Sequence, residues 1–133
     1  MNNLLHKLRP LSNLAARALM SCIFIVAGWN KIASYAGTQG FMRSLGVPGS
    51  LLPLVILVEL GGALALLVGF QTRIAAFSLA AFALLAGTLV HFHPGDQENM
   101  IVFMDNLAMV GGLLLFVQYG GGALSVDERL KRR

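Results

Sequence analysis

Apolar residues in this chain run in long blocks. Four stretches, roughly Leu11–Ala33, Leu51–Phe70, Ile74–Val90 and Met100–Tyr119, are almost free of charge. A bilayer's hydrocarbon core is about 30 Å thick and takes ~20 mostly apolar residues in a helix to cross. Each stretch therefore predicts a transmembrane helix, and the expected fold is all-α, a four-transmembrane-helix bundle. The four spans and their connections use nearly the whole chain, so residues 1–133 are read as one transmembrane domain.

The breaks between the blocks carry turn chemistry. Span one is expected to begin after Pro10, with Ser12 or Asn13 as its N-cap. The connection Ser34–Ser50 is punctuated by Gly37, Gly40, Gly46, Pro48 and Gly49. Within it TQGFMRSL predicts a short interfacial helix between spans one and two, capped by Thr38, with Phe41, Met42 and Leu45 on its apolar side. Ser50 is the expected cap of span two, and Pro53 falls in its first turn. The link Gln71–Arg73 is so short that spans two and three must form an antiparallel hairpin. Span three ends at His91–Gly95, and Gly120–Gly122 end span four ahead of a polar, basic tail.

Small residues suggest where helices meet. Gly61, Ala65 and Gly69 form a stripe on span two, Ala76, Ala80, Ala83 and Gly87 lie along span three, and span four carries Ala108 with Gly112. Such stripes let neighbouring backbones approach closely.

Composition sharpens the class. The chain is 56% hydrophobic and 12% charged, far from the quarter charged residues of an ordinary soluble domain. Intrinsic disorder is excluded on the same grounds. A net charge of +4 would suggest nucleic acid in a soluble protein. Here the basic residues cluster at the span ends, and no nucleic-acid partner is expected. Lys7, Arg9, Arg17, Arg73, Arg129, Lys131, Arg132 and Arg133 fall on one side of the predicted spans, and only Lys31 and Arg43 on the other. The positive-inside rule then puts both termini in the cytoplasm. His6, Lys7 and Arg9 resemble the basic start of a secretory signal, but the apolar stretch behind them is too long, so it is read as an uncleaved span. The lone Cys22 excludes an internal disulfide and dithiol chemistry within this chain.

Ionisable residues inside spans point to function, because the bilayer makes them expensive. Glu59 lies about 12 Å below the outer end of span two and Asp105 about 8 Å below that of span four. Asn30 and Lys31 close span one, His91 closes span three, and Asn106 follows Asp105. Asn30, Lys31, Glu59, His91, Asp105 and Asn106 are therefore expected as one polar cluster in the outer half. Each also has a plain structural reading. Lys31 can snorkel, Glu59 can serve only as its partner, and Asp105-Asn106 can join helices by hydrogen bonds. Trp29 and Tyr35 suit an interfacial belt, and Arg17 an anchor among headgroups. His91 and His93 are two apart, a poor spacing for shared ligation, and no metal site is expected.

The run Arg17-(x10)-Gly28-x-x-Lys31, with Ile23-Phe24 between, resembles the first helix of the DoxX family of small membrane proteins. Gly46-x-Pro48, Glu59-x-Gly61-Gly62, Gly69-x-x-x-Arg73, Asn106-Leu107 and Gly111-Gly112 follow in matching order, so the resemblance covers about residues 9–118. It implies a four-helix bundle in the bacterial inner membrane. The family takes its name from a subunit associated with thiosulfate:quinone oxidoreductase, and other members are linked to redox stress. The resemblance thus implies a redox-associated subunit, with quinone or another small ligand at the polar cluster, a membrane or redox protein partner, and a homo-oligomer as a further option. Two other readings stand beside it: a structural or assembly partner without its own activity, and a small proton-coupled transport protein with Glu59 as the titrating group.

Overall fold

The computed structural model describes all residues, 1–133, and contains helices and no strands. In chain order they are α1 (Asn2–Ala33), α2 (Tyr35–Ser44), α3 (residues 49–68), α4 (Thr72–His91), α5 (Gln97–Tyr119) and α6 (Val126–Lys131). Four of them, α1, α3, α4 and α5, are long and apolar enough to cross a membrane. Their outer surfaces carry many exposed leucines, isoleucines and phenylalanines. The interior is thin, built on Phe24, Ala63, Leu66, Leu79, Ala83, Leu113 and their neighbours.

Helix α1 starts nine residues earlier than the sequence suggests and carries Pro10 inside it. Proline forfeits one backbone hydrogen bond there, but the turns on either side continue, and Ser12 and Asn13 are not caps. Likewise Thr38 lies within α2, its hydroxyl donating to the Ser34 carbonyl at 2.8 Å, and Ser50 sits in a 3₁₀ turn without capping α3. The tail also folds: Ser125 caps α6 by accepting from the Glu128 N–H.

Helix α3 is not uniform. Residues Leu57–Gly61 form a π turn, wider than the α turns of Leu52–Ile56 and Gly62–Val68 around it, and Glu59 sits at its centre. Such single-turn π segments recur at functional sites because they re-aim a side chain without ending the helix.

The packing corrects the expected stripe. Gly61 is exposed and meets no other helix, whereas Gly62 faces α4, where an added Cβ would stand 3.1 Å from Leu79 Cγ. On α1 the corresponding position is Gly28, whose missing side chain makes room for Leu60 at 3.1 Å. Helix α4 is the centre of the bundle: Ala76, Ala80, Ala83 and Gly87 are all buried. Helix α5 lies along α4 and barely touches α1.

Candidate functional site

Gly28 and Lys31 are three residues apart and so share one face of α1. Leu60 and Glu59 are their counterparts on α3. Because Gly28 lets the two backbones close, the Lys31 ammonium reaches Glu59 Oε1 at 2.7 Å. The Glu59 side chain is 4% exposed and that of Lys31 26%. Lys31 Nζ also stands 6.0 Å from the centroid of the Phe82 ring on α4, a cation–π distance.

This ion pair forms one wall of a cavity of about 410 Å³ between α1, α4 and α5, at the end of the bundle that carries α2. The cavity exists because α5 packs on α4 and leaves a gap to α1. Its lining is mainly apolar, with Phe24, Phe41 and Phe82 as the aromatic surfaces. Lys31, Glu59, His91, Asp105 and Asn106 supply its polar atoms, so the structure brings five of the six expected residues to one space. Asn30 is the exception. It is exposed and does not line the cavity, because its side chain leaves α1 about 100° around the helix from that of Lys31.

The polar groups differ in how far they are satisfied. Asp96 caps α5, accepting from the Glu98 and Asn99 N–H groups, and its Oδ2 accepts from Asn99 Nδ2 at 2.8 Å. That contact turns the Asn99 amide oxygen toward His91 Nδ1, 3.1 Å away. In neutral His91 the proton therefore sits on Nδ1, and Nε2 keeps a free lone pair. The Asn99 side chain, with backbone help, holds the Asp96 carboxyl below its ordinary value. Asn106 Nδ2 donates to the Val102 carbonyl at 3.2 Å, in a niche opened by Gly87. Its side-chain oxygen has no partner, and Asp105 is exposed at the cavity's edge with no hydrogen bond or ion pair. His93 bonds the Val90 carbonyl at 3.1 Å and takes no part in the cavity.

A second polar centre lies at the opposite end, and sequence reasoning missed it. Arg17 is wholly buried. Its Nε donates to Asn13 Oδ1 at 3.0 Å, Nη1 to the Leu67 carbonyl at 2.8 Å, and Nη2 to the Leu124 carbonyl. It is not a headgroup anchor. It closes the C-terminus of α3, where carbonyls lack helical partners and a cation is favoured, and ties the tail to it. Asp127 does the converse at the N-terminus of α4: Oδ1 accepts from the Gln71 N–H at 2.7 Å, and Oδ2 from the Thr72 N–H at 2.9 Å and hydroxyl at 2.8 Å. Burial pushes the Asp127 carboxyl up, but these bonds together hold it below its ordinary value. The available signal was an arginine inside a span and an aspartate just after a glycine-rich break, Gly120–Gly122.

Comparison with known proteins agrees with this architecture. The sequence profile of the DoxX family matches residues 12–92. Inner membrane protein YqjF of Escherichia coli K12 is 49% identical over 127 residues, covering 96% of this chain and 98% of the relative. Inner membrane protein YphA of the same organism is 35% identical over 128 residues, covering 91% of each. No solved structure matches.

Proposed function

Because the chain belongs to the DoxX family of inner-membrane proteins, we propose that it binds a small lipophilic molecule with a polar head in the cavity between α1, α4 and α5. The observation that carries this reading is a space of about 410 Å³ with an apolar lining and a few convergent polar groups, including a desolvated ion pair. That combination is the usual mark of a ligand site. The gap between α1 and α5 gives a ligand dissolved in the bilayer a sideways route in.

The orientation is part of the proposal. Arg17, Arg73 and the basic tail share one end of the bundle, and Lys31 and Arg43 the other. The first end is cytoplasmic by the positive-inside rule, so both termini are inside and the cavity lies in the outer half. The redox association, with quinone as one candidate ligand and a membrane or redox protein as partner, rests on kinship alone.

The test is extraction of the protein, purified in mild detergent, into organic solvent, followed by quinone absorbance and mass spectrometry. The wild type should retain a lipophilic molecule in near-stoichiometric amount. Ala27→Trp, which fills the cavity from α1, should lose it. Equal retention by the two proteins would place the molecule on the outer surface and sink the reading. An empty wild type together with stable capture of a membrane protein would favour the assembly-partner reading.

A further inference from the structure

We propose that the cavity selects a lipophilic cation whose charged head donates hydrogen bonds, a protonated amine on an apolar body, with Asp105 as its counter-ion. This rests on the cavity being a ligand site and adds the chemistry of the head group.

The charges decide the sign. The one cation at the cavity, Lys31, is already neutralised by Glu59 at 2.7 Å. Asp105 has no such partner, and His91 in its neutral form adds nothing. One negative charge is left unbalanced in an apolar setting, where an uncompensated charge is costly and attracts an opposite one strongly.

The hydrogen-bonding inventory points the same way. The atoms left over are acceptors: both Asp105 oxygens, Glu59 Oε2, His91 Nε2 and the Asn106 side-chain oxygen. Of the donors that could have balanced them, His91 Nδ1–H is used on Asn99 and one Asn106 N–H on Val102. The spare Lys31 protons and the second Asn106 N–H remain, fewer than the free acceptors. A head group that merely accepts, such as a carboxylate, would face acceptors and a negative charge. An ammonium head satisfies both, and the apolar body attached to it meets the Phe24 and Phe41 side chains of the lining.

The probes are 1-naphthylmethylammonium, 1-naphthylmethanol and 1-naphthylacetate, which carry one ring with a positive, neutral and negative head. Binding is measured by equilibrium dialysis on the full-length protein in phosphatidylcholine nanodiscs at pH 7, with empty nanodiscs giving the lipid background. The ammonium compound should bind saturably and at least tenfold more tightly than the alcohol, with no saturable binding of the carboxylate. Asp105→Asn should remove the tenfold preference for the ammonium compound over the alcohol. Ala27→Trp should abolish both, and Val102→Trp on the exposed rim replaces it should that variant fail to fold. Equal binding of the three probes, or a preference that survives Asp105→Asn, overturns the cation assignment while the cavity stands. Failure of all three probes to bind saturably, or binding untouched by the filling variants, overturns the cavity reading and this inference with it.

Discussion

At the tail end Arg17 gives each branch of its guanidinium to an acceptor within the chain, and Asp127 gives both oxygens to donors at the start of α4, the Gln71 N–H ahead of it and Thr72 within it. At the α2 end Lys31 meets one oxygen of Glu59, while Asp105 and one nitrogen of His91 meet nothing. Both centres hold ionisable side chains that membrane insertion disfavours. The first uses them up in closing helix ends, and the second keeps capacity in reserve. In a membrane bundle the leftover valence, rather than the charge itself, separates a site from a brace.

The largest effect that would break this comparison lies at Arg17. Arg17→Ala should leave buried carbonyls of α3 and the tail unpaired and destabilise the protein by about 3–5 kcal/mol in thermal unfolding in detergent. Arg17→Lys should recover only part, since an ammonium cannot reproduce the fork. Full recovery would make Arg17 a point charge and reduce the contrast between the ends.

Next comes the ion pair. Glu59→Gln and Lys31→Met should each cost about 2–3 kcal/mol, less than a wholly buried pair because Lys31 retains some exposure. The double variant should lose less than the sum, and a coupling near zero in that cycle would show the two residues to be independent.

Asp127→Asn should cost about 1–2 kcal/mol at neutral pH by weakening the bonds that close α4. The wild type supplies the pH counterpart. A carboxyl held below its ordinary value, near 3.8, stabilises fully above that value, and the contribution drains away as pH falls through the lower folded value. Unfolding curves should therefore converge for wild type and Asp127→Asn well below pH 4. A gap that persists there would trace the effect to something other than the charge.

The smallest effect sharpens the comparison most. Asp105→Asn should change stability by no more than about 0.5 kcal/mol, because no partner is lost. A large loss in the same unfolding assay would mean that Asp105 braces the bundle after all.

Much of this was legible in the chain. Long apolar blocks give the spans directly, and a lysine and a glutamate in two of them give the pair once topology puts both in the same half. What periodicity cannot give is rotation about each helix axis. Asn30 and Gly61 are each one residue from the position that faces inward, and only packing tells Asn30 from Lys31 or Gly61 from Gly62. The tail-end brace was hidden for another reason. Apart from Asn13, one turn back, Arg17 is held by backbone carbonyls, which every residue carries, so no sequence pattern marks its distant partners.

The π turn makes the meeting of Glu59 with Lys31 a matter of counting as well as chemistry. A π turn is one residue longer than the α turn it replaces, so Leu57–Gly61 carries an insertion folded into the helix. Deleting any one of these residues would let α3 close into a regular helix. The two flanks would keep their register, but Glu59 would turn relative to the inward-facing Gly62 and Leu66, because an α turn advances further per residue than a π turn. Chains descended from this one can exchange side chains along α3 with some freedom. They cannot change its length between Pro53 and Gly69 without unfastening either the cavity wall or the Arg17 brace, and that fixed spacing is a signature by which function-retaining descendants can be told from drifted ones.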